Sequence, residues 1–274
     1  ISTCLHPEIM PSKLKISAHT ALAFLLISFI PGLSSAQGGI SFTGPDSHLQ
    51  VADHPALQLE TFTLECWIMP LPGGEALPTL LPGTAVEPLI SRGIYRSEGT
   101  SEYNYFLGLR EDRTLFFGFG SATMGTEPIG GYRLSGYTPL VDTAWHHVAL
   151  TFDGESICLY LNGKPEAMLE AFPHPNLEMN AALGIGCTFN ELSQPLGSFR
   201  GRLDALRIWD IPFSHSGILD IMNSEEMNSP HLVLGMHYNE ESGNSFELAG
   251  RIPASQLSAE NIVRREGAHF QNMI

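Results

Sequence analysis

Along most of this chain apolar residues recur at every second position in short runs, and Gly, Pro, Asn and Asp interrupt them. A period of two puts alternate side chains on opposite faces of a strand, so the pattern predicts an all-β protein built from many short strands. The clearest run is Thr61 to Ile68, where Phe62, Leu64, Cys66 and Ile68 fall on one face and Thr61, Thr63, Glu65 and Trp67 on the other. Bulk on both faces predicts a strand covered on both sides, inside a layered fold. Two further runs, His147 to Phe152 and Ile157 to Leu161, are joined through Asp153-Gly154, and the second leaves through Asn162-Gly163. Both dipeptides accept the positive φ angles of tight hairpin turns, which predicts an antiparallel meander.

More strands are expected at Tyr103–Leu109, Thr114–Phe119, Leu183–Cys187, Arg202–Trp209 and, after Pro230, His231–Tyr238. The Pro/Gly-rich stretch Leu71–Pro88 and the Gly-punctuated stretch Ser121–Gly136 read as long loops, where specificity would reside. One helix is predicted over Ser214–Glu225, with Ile218, Leu219 and Met222 on one face and Ser214 as its cap. Residues 229–274 read as one extra strand and a poorly patterned tail, partly ordered or the start of a further module.

The 274 residues are 43% hydrophobic and 16% charged, enough apolar material for one large β domain with appendages. Acidic residues outnumber basic ones, 29 to 14, for a net charge of −15. Such a surface repels nucleic acid and anionic membranes and suits cations or neutral polymers. The chain opens on Ile1, and residues 1–9 read as an upstream segment preceding translation. From Met10, basic Lys13 and Lys15 precede an apolar run, Ala21 to Ile30, then Pro31, Gly32 and the small residues Ser34-Ser35-Ala36. That order predicts a signal peptide over 10–36, cleaved after Ala36, and a protein that is secreted or on the cell surface. The run is too short to cross a hydrocarbon core comfortably, so no membrane insertion is expected after cleavage.

Cys66, Cys158 and Cys187 would survive that cleavage, whereas Cys4 would not. One disulfide with a free thiol and three buried reduced thiols both fit; Cys158 and Cys187, on neighbouring segments, are the expected pair if one forms. No Cys-x-x-Cys or His/Cys cluster is present, so no structural zinc is expected.

The order of three blocks resembles the laminin-G-like jelly-roll family of the concanavalin A-like lectin/glucanase superfamily, over about Gly39 to Glu226. The opening runs from the turn Phe42-Thr43-Gly44-Pro45-Asp46 into Phe62-Thr63-Leu64-Glu65-Cys66-Trp67, with Asp46 slightly off the family's spacing. The middle reads Trp145-His146-His147-Val148-Ala149, then Phe152-Asp153-Gly154 and Leu159-Tyr160-Leu161-Asn162-Gly163. The close is Phe199-Arg200-Gly201-Arg202-Leu203-Asp204-Ala205-Leu206-Arg207-Ile208-Trp209. The resemblance implies a domain over 38–228 folded as a two-sheet antiparallel jelly-roll sandwich with one concave face. It also implies a calcium ion at the rim, held by Asp46, Asp204 and the carbonyl of Gly44; calcium takes several hard oxygens, which these would supply. The alternative is that each aspartate caps a turn or pairs with Arg202 or Arg207.

Other candidate chemistry is thin. Trp67, Trp145 and Trp209 sit where such strands fill their core, and adjacent His146 and His147 face opposite sides of a strand and cannot chelate one ion. Asp153 and Asn162 belong to hairpin turns. Glycoside hydrolases on this sandwich need two carboxylates at fixed separation on one face, but Glu65 stands alone and Glu240-Glu241 lies in a predicted turn. Nucleophile elbow, P-loop and zincin motifs are absent, so no catalysis is expected. The expected function is binding an extracellular glycan or matrix polymer through Tyr95, Tyr103 and Tyr105 and through Tyr132 and Tyr137, since tyrosine joins apolar area to a hydroxyl. The alternative is an adhesive, protein-binding domain of a larger surface protein.

Overall fold

A computed structural model describes residues 39–78, 85–96, 102–119, 132–170, 179–239, 245–260 and 262–264. The expected upstream segment 1–9 and signal peptide 10–36, most of the loop Ser121–Gly136 and the last ten residues lie outside the described residues.

Two antiparallel sheets form a jelly-roll sandwich with one short helix. The nine-stranded sheet runs in the order Lys164–Glu170, Ser156–Leu161, His146–Phe152, Phe62–Pro70, Gly201–Trp209, Ile40–Phe42 and Ile262–Arg264. Leu232–Asn239 adds to Gly201–Trp209 and in turn pairs with Ser245–Gly250. The eight-stranded sheet runs Leu257–Glu260, His48–Val51, Leu183–Ile185, Ala85–Ile94, Glu102–Arg110, Leu115–Phe119 and Tyr132–Ser135, with Leu77–Pro78 on Ala85–Ile94.

Period-two alternation builds the core. Phe62, Leu64, Cys66 and Ile68 meet Leu49, Ile90, Tyr105, Leu107 and Phe117 of the facing sheet in one continuous cluster. Each such side chain contributes roughly 1.5–3 kcal/mol by leaving water. The turns close as their residues dictate: Asp153 Oδ1 accepts from the amides of Glu155 and Ser156 at 2.9 and 2.6 Å, and Asn162 (φ 50°) with Gly163 (φ 74°) makes the next hairpin.

The opposite face of the nine-stranded sheet is covered too. Helix His215–Met222 begins at Ser214, whose Oγ accepts from Gly217 N, and lays Ile218 and Ile221 on Ala149 and Tyr160. The sequence pattern predicted this helix to Glu225; it stops at Met222, where Arg207 takes the carbonyls of Ile221 and Ser224, each at 2.7 Å.

The expected loose tail is instead part of the sandwich. Past Pro230, strands Leu232–Asn239, Ser245–Gly250, Leu257–Glu260 and Ile262–Arg264 complete both sheets. Leu257–Glu260 and Ile262–Arg264 are short edge strands, one on each sheet. An edge strand takes its order from the backbone of its neighbour, so its own alternation is weak and gives little signal.

Candidate binding rim

One end of the sandwich gathers the loop that follows Tyr132–Ser135, the hairpin carrying Arg113, and the segment after Pro70. Thr143 N donates to Pro70 O at 2.9 Å and Leu140 N to Arg113 O at 2.9 Å. Leu140 anchors the loop as a buried side chain, while Tyr137 and Val141 on either side are 80% and 64% exposed. Glu166, from strand Lys164–Glu170, clasps the turn: one carboxylate oxygen accepts from the amides of Tyr137 and Thr138, the other from Thr138 Oγ1 at 3.1 Å.

Arg113 ties the rest together. Its guanidinium pairs with Asp142 and, at 3.1 Å, with Glu87. A Cβ at Gly74 would collide with the Ser198 backbone carbonyl as well as the Glu87 carboxylate, so glycine is required where that segment passes between them. Burial raises the Glu87 carboxyl, the nearby Asp142 charge adds to this, and Arg113 opposes it. Arg113 (φ 64°) and Thr143 (φ 67°) both hold left-handed backbone, unfavourable for a β-branched threonine, and such strain concentrates at functional loops. Chemically the rim offers an exposed phenol on a clasped turn, a hydroxyl and a pinned ion-pair cluster, which suits recognition.

Of the predicted tyrosines, only Tyr137 stands free in this way. Tyr105 is 0% exposed with its ring 5.6 Å from Phe62, and burial raises its hydroxyl's pKa; it is core, not ligand contact. Tyr103 should share its face by alternation, but a register shift at Asn104 turns Tyr103 to the other side, where it packs on Phe106 at 5.0 Å. Half-buried Tyr95 joins that cluster, and Tyr132 packs against the main core.

The residues expected to hold calcium do not fit as a set. The Gly44 carbonyl closes its own turn by accepting from Ser47 N at 3.0 Å, and Asp46 is exposed in that turn. Phe42 pairs with Gly201, so the turn leaves from one end of strand Gly201–Trp209, whereas Asp204 lies further along it opposite Trp67. Asp204 is buried, its carboxylate accepting from Ala205 N at 2.7 Å and lying 3.6 Å from His237 Nδ1.

The expected Cys158–Cys187 pair is also corrected: both are free thiols. Cys158 lies on the helix-covered face of the nine-stranded sheet, opposite Thr151 and Met168, while Cys187 follows Leu183–Ile185 in the other sheet.

A second polar cluster is sealed under the helix. Glu65 meets His147 at 2.8 Å, Arg207 at 2.7 Å and Trp209 Nε1 at 3.2 Å, with the Trp67 and His147 rings edge to face at 5.4 Å. An extra residue in the strand beside Cys66, with Ala205 at φ 47°, brings Asp204 and Arg207 to this face. Arg113, Glu87, Asp142 and Glu166 carry no sequence signal because each is a lone charge along the chain, in a loop, an edge strand or, for Glu87, the central strand Ala85–Ile94, joined to its partners only by the fold.

Residues 42–219 match the laminin G family described as the Concanavalin A-like lectin/glucanases superfamily. Pappalysin-1 of Mus musculus is 24% identical over 209 residues, covering 69% of this chain and 11% of that protein, so the chain spans a small part of this relative. Among solved structures, a protein of Bacteroides ovatus ATCC 8483 superposes with TM-score 0.54 at 16% identity, over 84% of this chain and 59% of its own. The CBM40 of Ruminococcus gnavus IT-sialidase, bound to alpha2,3 sialyllactose, gives TM-score 0.52 at 15% identity, over 68% of this chain and 97% of its own. The ordered strand blocks, the two-sheet sandwich and the span of the match agree: this chain belongs to the laminin G family of the concanavalin A-like superfamily.

Proposed function

We propose that this chain is a non-catalytic extracellular binding module that takes a glycan at the rim carrying Tyr137. The observation that carries the reading is an 80% exposed tyrosine on a turn clasped by Glu166. A backbone already clasped in its turn has little left to order when a sugar stacks on the exposed ring it carries, and Thr138 beside it adds a hydroxyl. The sialyllactose-bound CBM40 of similar fold supports the ligand class. The non-catalytic reading rests on Glu65 and His147: both are wholly buried and committed to each other and to Arg207, out of reach of a substrate. Exposed Val141 beside Tyr137 favours a second reading, in which the same loop meets a protein surface.

Glycan-array binding of the chain and of Tyr137→Ala tests the proposal. Binding of at least one glycan, weakened about tenfold or more by the substitution, is expected. Equal binding by both proteins overturns the rim assignment, and no glycan bound together with a Val141-dependent protein contact favours the second reading.

A further inference from the structure

At the other end of the same sheet, where Trp209 pairs with Thr63 rather than Gly201 with Pro70, lies a cleft of about 300 Å³. Pro55, Ala56 and Leu59 give it apolar surface, and Gln58, Glu60 and Arg251 give it polar groups. Its charged wall is organised by Asp210, whose two oxygens meet His231 Nδ1 at 2.9 Å and Arg251 Nη2 at 2.8 Å. Thr61 Oγ1 donates to the Asp210 carbonyl at 3.3 Å, tying the two sides of the cleft together.

Arg251 reaches this wall through a specific turn. Gly250 holds φ 103°, and a Cβ there would strike the Val233 carbonyl, so only glycine lets the chain leave its strand and set Arg251 beside Asp210. The Arg251 amide then donates to Val233 O at 3.0 Å. His231 and Arg251 both lie beyond residue 219, where the family match ends. Two of the wall's three charged groups therefore come from the segment beyond the shared laminin G span, while Asp210, which joins them, lies within it.

The geometry points to a second ligand site in this cleft, for a neutral polyhydroxylated molecule of one or two sugar rings. The volume sits at the lower end of small-molecule sites. Glu60 repels an anion and Arg251 a cation, whereas a hydroxyl accepts from the guanidinium and donates to the carboxylate without net charge. Exposed Pro55 and half-buried Ala56 suit the apolar face of a sugar ring. The site shares its ligand class with the rim and none of its residues, so the two readings fail separately.

The test is a titration of the isotope-labelled chain with glucose, galactose, mannose, N-acetylglucosamine and lactose, following the amides of Gln58 to Thr61. At least one sugar is expected to shift them, with affinity reduced about tenfold in Arg251→Ala and in Glu60→Gln and unchanged in Tyr137→Ala. Glu60→Gln alters an exposed side chain and guards against a folding defect in Arg251→Ala. No shift with any of the sugars overturns the inference, as does binding insensitive to both cleft variants, or stronger shifts from acetate or ethylammonium than from any sugar.

Discussion

Two arginines in this molecule each bind a glutamate, and their surroundings give them different work. Arg207 and its partner Glu65 are sealed, at 2% and 0% side-chain exposure, between the nine-stranded sheet and the helix. Around them His147, the Trp209 indole and the carbonyls of Ile221 and Ser224 take up the polar groups. Arg113 and Glu87 sit at the rim, near enough to water that the third member, Asp142, keeps a third of its side chain exposed. The first cluster locks one element onto another in a dry site, where taking away one member of an ion pair costs most. The second holds a loop in the pose that presents Tyr137, so its value is measured in binding more than in stability.

The largest effect expected from this contrast is on folding. Glu65→Ala strands Arg207 without its counter-charge and His147 without its hydrogen-bond partner in a dry site, and should lower unfolding stability by about 3–5 kcal/mol. The matching change at the rim, Glu87→Ala, leaves Arg113 with Asp142 and partial hydration, and should lower it by no more than about 1 kcal/mol. Urea unfolding of the two variants decides the matter: comparable losses would mean that the rim pair is as structural as the buried one.

The same contrast separates what the sequence made legible from what it did not. Phe62 to Ile68, the Asp153-Gly154 and Asn162-Gly163 turns and the Ser214 cap follow local rules of period and turn chemistry, and the fold places each where those rules put it. Glu65 was visible only as a lone acid, because His147 and Arg207 reach it from strands far along the chain. Tyr103 and Tyr105 are expected together because tyrosine suits a binding face, and one bulge at Asn104 sends them to opposite faces. Asp46 and Asp204 belong to matching family blocks, yet strand register, which a single sequence does not reveal, keeps them apart. Edge strands past Pro230 and the rim charges were illegible for one reason: their partners are all non-local.

A smaller effect concerns pH. The Glu87 carboxyl is raised above its ordinary value of 4.5 chiefly by burial, so the folded chain holds that proton more tightly than the unfolded chain. Below 4.5 both states carry the proton and the group costs nothing. As pH rises through the raised value, the folded state must ionise a poorly hydrated carboxyl, and its contribution to stability falls. Glu87→Gln removes this dependence while keeping an oxygen for Arg113. Its stability relative to the parent chain should therefore rise with pH across that window and level off above it, by no more than about 1 kcal/mol. Thermal unfolding from pH 4 to pH 8 measures the difference; a gain that appears only towards acid pH would invert the assignment.

The smallest effect expected is none. A disulfide needs Cα atoms within about 7 Å and side chains that face each other. Cys158 lies on the outer face of one sheet, and Cys187 belongs to the other, across a sandwich whose sheets pack about 10 Å apart. Reductant should leave the unfolding midpoint unchanged, and Cys158→Ser should not alter that result. The thiols still differ in reactivity: burial pushes Cys187 up to about 12 and raises Cys66 further, whereas Cys158, also raised, is only half-buried. Alkylation of the native chain should mark Cys158 first and reach the other two only on unfolding. Equal labelling of Cys66 in the native state would show that the core between the sheets opens as readily as the half-buried face that carries Cys158 is reached, and burial would then protect that thiol only for a time.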